Sequence, residues 1–525
     1  MPGRRAPFAR ILVANRGEIA VRIIRACREL GVETVAVYSD ADEAAAHVRM
    51  ADTAIRVGPA SPTESYLRID AIVEAARATG AEAIHPGYGF LAERAAFARA
   101  VEEAGLVFIG PRSETIESLG DKLHARRLAR SVGVPVVPGT LEPAAVDRAD
   151  DVDAIVIGAE EIGFPLLVKA AAGGGGRGMR RVERPADLPA ALASGSAEAL
   201  AAFGDGSVYL EREVRPARHV EVQLLADAHG SVVALGERDC SLQRRHQKLV
   251  EEAPAPGLDE PARRRLHGLA IRLAQEANLR NAATAEFLLD PAGDVWFLEV
   301  NTRLQVEHGV TELVSGVDIV REQLWIAAGE PLSDAVLAAG ERAATPTSHA
   351  VEVRIAAEDP SRAFAPTPGR VGRWVMPSGP GVRVDTAIEP GDRIPPDYDN
   401  LIAKLMVHAP DRDAAIDRLR RALDETEIGG VQTTLPFHRT VAIDETFRAA
   451  DLSIDWVAQH WDGERAHTMA ARRALVAAGL LARSLGSSGI AGHATAMRVE
   501  ESDHHRQPDG WRRSARATAA DRWPR

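Results

Sequence analysis

The chain has 525 residues, of which 46% are hydrophobic and 26% charged, and a formal net charge of −12. That length exceeds what one core usually organises, so about two to four domains are expected, and the negative balance argues against general affinity for nucleic acid or anionic membranes. No apolar run approaches the roughly 20 residues that span a bilayer, and the N-terminal ILVA is too short for a signal peptide, so a cytoplasmic location is expected.

RILVAN reads as a buried strand, and RGEIAVRIIRACRELG places apolar residues at helical spacing before a glycine stop. VETVAVYS is a second strand. AEAIHPGYGF and LVFIG continue the alternation, with helices YLRIDAIVEAARATG and ERAAFARAVEEAG between. Such alternation over residues 1 to 115 predicts a parallel, doubly wound sheet, and the missing G-x-G-x-x-G turn withholds any NAD assignment. A helix over 121 to 132 and the turn VPVVPG lead to a Pro, Asp and Ala rich stretch near 141 to 153 that reads as a linker. A small unit follows from about 154 to 213, with FPLLVKA, a glycine loop and SVYLEREV. HVEVQLLAD, SVVALGERD, TAEFLLD, DVWFLEVN, HAVEVRIAA and LIAKLMVHA then predict a larger mixed or antiparallel sheet closing near residue 462. Residues 463–525 hold 11 arginines and 6 acidic residues, a net +5 against −17 for the rest. One amphipathic helix, MAARRALVAAGLLARSL, is expected there, followed by disorder.

Lysine occurs only four times, at Lys122, Lys169, Lys248 and Lys404, against 59 arginines. A guanidinium replaces an ammonium well on a solvated face but badly where a compact charge must pack against a phosphate or small anion. The retained lysines are therefore candidate site residues. Lys169 precedes Gly173 to Gly176, whose backbone N–H groups can fold around phosphate oxygens, so the loop reads as a nucleotide lid, with a plain linker as the alternative.

Glu286 lies in TAEFLLD, with Glu299 and Asn301 in or just after WFLEVN. A carboxylate among apolar neighbours is costly unless paired or bound to a cation. Adjacent strands would join the three as oxygen ligands suited to Mg²⁺; pairing of each glutamate with arginine is the structural alternative. Beyond them, Arg303 has the fork to grip a planar anion through two hydrogen bonds, and Glu307 can accept a proton if held within reach. Bicarbonate fits, although spacing alone does not choose it over carboxylate or phosphate. His219, Glu221, Gln243, His246 and Lys248 form a third group, His219 and Glu221 sharing one strand face. Cys27 and Cys240 make no disulfide framework, and Cys240 shows no activating base, so a thiol nucleophile is set aside.

Taken in order, ILVANRGEIAVRI, HPGYGFLAE, FIGP, GDK, KAAAGGGGRGMR, RDCSLQRRHQK, EEAPAP, EVNTRLQVEH and AVEVRIAAEDP resemble the biotin carboxylase family of the ATP-grasp superfamily, over roughly residues 8 to 460. The resemblance implies a mixed α/β and α+β ATP-grasp fold. Its parts would be a Rossmann-like parallel-sheet domain (1–115), a connecting helix and linker (116–141), a small mobile lid (142–213), a C-terminal mixed or antiparallel-sheet domain (214–462) and a basic tail (463–525). It implies ATP contacts at Lys122, Lys169, Gly175, Gly176, Glu211, Arg212, Glu213, Val214, His219 and His246. Glu286, Glu299 and Asn301 would hold Mg²⁺ or Mn²⁺, and Lys248, Arg303 and Val306 would bind bicarbonate. Glu307 resembles the general base and Arg354 the residue that stabilises the biotin enolate.

The implied reaction is the first half of an acyl-CoA carboxylase. Glu307 deprotonates bicarbonate, whose oxygen attacks the γ-phosphorus of MgATP to give carboxyphosphate and ADP. Carboxyphosphate breaks down to carbon dioxide and phosphate, phosphate takes the ureido proton, and the biotin nitrogen captures the carbon dioxide. The family attaches biotin to a lysine between two methionines, and none of the four lysines neighbours a methionine. A separate biotin carboxyl carrier protein and a carboxyltransferase are therefore implied, with a homodimer, and the chain reads as a split or truncated subunit. The alternatives are another ATP-grasp carboxylate ligase, the carboxylase subunit of a split pyruvate carboxylase, and a non-catalytic scaffold. The last would lack one of Lys122, Lys248, Glu299, Arg303 or Glu307, and all five are present. The chain departs from the family pattern at Ala172, Arg177 and Gly309, the last replacing a proline and predicting a looser turn after Glu307 and His308. Lys404, in YDNLIAKL, matches a family motif without a role legible in the residues.

Overall fold

The structure, a computed structural model, describes residues 6–146, 149–171 and 179–487. Gly175, Gly176, Ala172 and Arg177 lie outside the described residues, as does the tail from 488 onward.

The N-terminal unit is built on β1 (Arg10–Val13), β2 (Glu33–Ser39), β3 (Thr53–Gly58), β4 (Ala83–His85) and β5 (Val107–Phe108), parallel and ordered β3-β2-β1-β4-β5. The chain winds outward from β1 in both directions, as the alternation predicts. Helix α1 (Gly17–Glu29) buries Ile19, Ile23, Ala26 and Cys27, and Gly31 at φ +70° turns the chain back into β2. β3 escapes the pattern because it is an edge strand whose first four residues are exposed or half-buried, so it has no continuous apolar run. The single helix expected over 121 to 132 is one of a pair, α2 (Ser113–Gly120) and α3 (Lys122–Ser131). They are divided at Asp121, whose carboxylate accepts the His124 N–H at 2.7 Å.

The lid comprises α4 (Ala149–Ile162), β6 (Leu166–Ala170), β7 (Arg180–Val182), α5 (Leu188–Phe203) and β8 (Val208–Arg212), the strands being antiparallel in the order β7-β6-β8. Ile155, Leu166, Val168, Leu192 and Leu210 contribute to its core. The stretch expected to be a linker belongs to this unit. Ala144 exchanges two backbone hydrogen bonds with Val208, at 2.8 and 3.0 Å, and α4 begins at Ala149. Proline and aspartate there mark a turn into a helix, which composition alone does not separate from a linker.

The C-terminal unit carries an eight-stranded antiparallel sheet. Its strands are β9 (Arg218–Ala226), β10 (Val232–Arg244), β11 (Gln247–Ala253), β12 (Asn281–Leu289), β13 (Val295–Asn301), β14 (His349–Ala356), β15 (Val382–Thr386) and β16 (Leu401–Ala409), ordered β13-β12-β9-β10-β11-β14-β16-β15. Helix α6 (Glu260–Glu276) packs Leu266, Leu269 and Leu273 with Val222, Phe287 and Phe297 in one core. RDCSLQRRHQK is a hairpin: β10 and β11 are joined by Arg245 and His246, both at positive φ. Helix α7 (His308–Ser315) follows the loop after β13, and α8 (Gly463–Ser487) leaves the fold beside Pro360–Arg362.

Candidate active site

Strand register lines up Glu299, Glu286 and Glu221 at directly opposed positions on β13, β12 and β9, with Arg238 opposite Glu221 on β10. Opposed residues share a sheet face, and like charges so placed repel. The row is stable because cations are set into it. Arg238, completely buried, puts Nε 2.6 Å from Glu221 Oε1 and donates to Gln223, Thr284 and Thr311. Lys248 Nζ lies 2.5 Å from Glu221 Oε2, 2.9 Å from Glu286 Oε1 and 2.8 Å from Glu307 Oε1, three donors on three carboxylates. His219 Nε2 is 3.0 Å from Glu286 Oε2. Burial disfavours the Lys248 ammonium, but these carboxylates override it and raise its pKa well above the usual range.

Glu307, also completely buried, occupies the position before the first turn of α7. Its other oxygen, Oε2, is 2.9 Å from Arg354 Nη2. Burial opposes its charge, yet Lys248, Arg354 and Arg238 hold its pKa well below the usual carboxylate range, so it stands ionised. His308 is neutral, pushed down by burial and by Lys404, with Nδ1 2.7 Å from the Gln305 carbonyl. Gly309 is not in a loose turn. It is buried within the first turn of α7, and a Cβ there would meet Met406 Sδ at 2.3 Å. Cys240 Sγ sits 4.0 Å from Glu307 Oε1, and burial pushes its thiol pKa well up, so it remains a protonated thiol.

Arg303 differs from its expected two-bond grip on an anion. Nε donates to Glu93 at 2.8 Å, Nη1 to Gln305 at 2.6 Å and to the Leu304 carbonyl at 3.2 Å, and Nη2 to Asn301 at 2.9 Å. Among the described residues, four of its five N–H groups are engaged, leaving one on Nη2. A bidentate grip would require Glu93 or Asn301 to let go. Val306, half-buried beside it, presents its carbonyl to Lys404 Nζ at 2.8 Å.

The residues expected at the nucleotide come from three elements. Lys169 on β6 pairs with Glu211 on β8, which also binds Arg126 of α3. Glu211 is thereby committed to holding Lys169. Lys122 opens α3; burial lowers its pKa, Glu299 opposes that, and the nearby Lys169 adds to it. His246 at the hairpin tip is lowered by burial and then by Lys169 and His219, which places these cations in one neighbourhood. Arg212 stacks on Trp296 at 5.3 Å, Glu213 binds Arg181 at 2.6 Å, and Val214 is half-buried.

The predicted magnesium set is contiguous but unequal. Asn301 Nδ2 donates to Glu286 Oε1 at 2.9 Å, so Glu286 already serves Lys248, His219 and Asn301. Glu299 is raised by burial and then by Glu286 opposite, the repulsion that a divalent cation relieves. The oxygen chemistry therefore fits a hard cation. Within the described residues, ligand atoms of His219, Glu221 and Glu286 also converge to within 4.8 Å, but Lys248 neutralises that group. Arg238, Arg126, Glu93 and Glu251 belong to the site and are not singled out by the sequence reading. Glu93 ends HPGYGFLAE and Arg238 opens RDCSLQRRHQK, so their motifs could have flagged them. Arg126 lies among the other arginines of KLHARRLARS and carries no such mark.

Lys169 of the lid shares a neighbourhood with Lys122 and with His246 of the large sheet, and Lys122 is drawn to Glu299 of the carboxylate row; this is the arrangement of an ATP-dependent ligase of the ATP-grasp class. Residues 121–335 match the family model for the carbamoyl-phosphate synthase L chain, ATP binding domain. Residues 7–116 match the biotin carboxylase N-terminal domain, and 352–459 the biotin carboxylase C-terminal domain. The chain belongs to the biotin carboxylase family. It is 48% identical to biotin carboxylase of Haemophilus influenzae over 448 residues, 85% of this chain and 98% of that protein. It is 47% identical over 462 residues to the biotin-dependent acyl-coenzyme A carboxylase alpha3 subunit of Mycobacterium leprae, 87% of this chain and 75% of that protein. The biotin carboxylase domain dimer of Hydrogenobacter thermophilus 2-oxoglutarate carboxylase, solved with MgADP, ADP and bicarbonate, matches with a TM-score of 0.80 at 45% identity, over 86% of this chain and 98% of that one. Among the described residues no helix is long and apolar enough to cross a membrane.

Proposed function

We propose that the chain carboxylates biotin, presented on a separate carrier protein, with bicarbonate and MgATP, and so performs the first half-reaction of an acyl-CoA carboxylase. The observation that carries this reading is Glu307, an ionised and completely buried carboxylate between Lys248 and Arg354. Lys248, Val306 and the free N–H of Arg303 receive bicarbonate, Glu307 takes its proton, and the freed oxygen attacks the γ-phosphorus of ATP. Lys122, Lys169 and the loop with Gly175 and Gly176 hold the phosphates, with His219, His246 and the 211–214 segment at the nucleotide. Glu286, Glu299 and Asn301 would hold magnesium, which would supply charge neutralisation at the transferring phosphoryl group. Protonation of Glu307 frees Arg354 Nη2 toward the biotin enolate while Glu251 keeps its hold on Nε. Lid closure keeps water from carboxyphosphate.

The Mycobacterium leprae relative supports an acyl-CoA acceptor, and the Hydrogenobacter thermophilus structure supports a 2-oxo acid as the alternative. That structure is a dimer, which supports a homodimer here. The primary test is ATP hydrolysis by the purified protein with bicarbonate, with and without free biotin. A biotin-dependent rise is expected, and its absence overturns the proposal. Glu307→Gln is expected to lower the stimulated rate by about 10²- to 10⁴-fold, the usual worth of a positioned base. Supplying a carboxyltransferase and carrier with acyl-CoA or 2-oxo acid substrates separates the two acceptors.

A further inference from the structure

Lys404 has no part in the steps above, yet its side chain is completely buried on β16. Its Nζ lies 2.8 Å from the Val306 carbonyl oxygen, 3.2 Å from Glu18 Oε1 and 3.9 Å from Asp385 Oδ2. Glu18 comes from α1 and also accepts the Tyr88 hydroxyl. Asp385 has its own counter-cation, Arg383, through two bonds of 3.0 and 2.7 Å. A buried ammonium needs compensating negative charge, and Glu18 and Asp385 share that role. The bond to a main-chain carbonyl is additional. It fixes the peptide that joins Val306 to Glu307, and with it the direction in which the Glu307 side chain leaves the backbone.

We propose that Lys404 is a positioning residue of the carboxylation reaction, anchoring the Val306 carbonyl so that Glu307 stands between Lys248 and Arg354. The inference rests on Glu307 acting as the base. A compact ammonium can direct separate N–H bonds to a carbonyl and a carboxylate in a completely buried space, whereas a planar guanidinium is larger and fixed in its fork. That accounts for one of the four lysines retained in a chain with 59 arginines.

Lys404→Met alone leaves Glu18 buried without a cation and is expected to destabilise the protein. The decisive variant is therefore E18Q/K404M, which removes both charges; Glu352 nearby needs no replacement cation because burial raises its pKa well above the usual range. The double variant is expected to fold and to bind MgADP as the wild type does. Its biotin-stimulated, bicarbonate-dependent ATP hydrolysis should fall about 10²-fold, the cost of misplacing a reacting group by about 1 Å, with a raised KM for bicarbonate. Glu18→Gln, which keeps the Lys404 to Val306 bond, should retain most of the rate. A folded double variant turning over at the wild-type rate overturns the proposal, and so does loss of MgADP binding in step with activity. A wild type without any biotin-dependent rise refutes the reaction itself, and an active wild type with an unimpaired double variant refutes only the role of Lys404.

Discussion

Glu251 stands behind Arg354, completely buried, and burial raises its pKa from 4.5 to about 7 although Arg354 Nε is 2.6 Å away. An acid with a higher pKa folded than unfolded keeps its proton longer in the native state. The stability it contributes is complete below 4.5 and is lost as pH rises to about 7. Glu251→Gln removes that term, so between about pH 5 and about pH 8 the wild-type Tm should fall relative to that of the variant. Parallel Tm profiles would refute the assignment. Residues of this kind were legible unevenly. Scarcity exposed the lysines, because a rare type at a fixed place carries information. Arg126 and Arg238, the two largest fully buried side chains, were hidden by the abundance of their own type. The competition for Arg303 was illegible because Glu93 lies 210 positions away and only the fold joins them.

Helix α7 and strand β16 meet at Gly309 and Met406, where the thioether fills the volume that any Cβ at 309 would take. Proline is tolerated in the first turn of a helix, so the backbone at 309 presents no obstacle and the sulfur does. Gly309→Pro alone is expected to cost about 1–3 kcal/mol through overpacking. Adding Met406→Ala should recover part of that cost, as measured by denaturant unfolding. Equal loss in the single and double variants would refute the packing argument. At this scale the strong periodicities were legible: β1, α1 and the central strands follow their apolar patterns. Elements whose pattern is interrupted were not, and for different reasons. β3 is half-exposed, the 141–153 stretch pairs with a distant strand, and the β10–β11 hairpin carries charge on buried faces because its partners are carboxylates across the sheet.

Over the whole molecule, the N-terminal unit reaches the loop of residues 302–307 at both ends. Glu93 accepts from the Thr302 N–H at 3.1 Å and from Arg303, while Glu18 meets the lysine that holds Val306. Helix α8, in contrast, leaves the fold and exposes Met469, Leu475, Val476 and Leu480. The three family matches end at residue 459, and none extends into residues 463–525. Truncation after Asp462 is expected to change unfolding free energy by less than about 0.5 kcal/mol and to leave ATP hydrolysis intact; a collapse of either would contradict that expectation. The double hold on residues 302–307 also bears on synthesis. The first units to leave the ribosome carry Glu18, Lys122 and Lys169, and the carboxylate row follows, but the anchor for Val306 arrives only with Lys404. On the roles proposed above, a nascent chain carries its nucleotide lysines well before its base is anchored, and it stays idle toward bicarbonate until Lys404 has emerged.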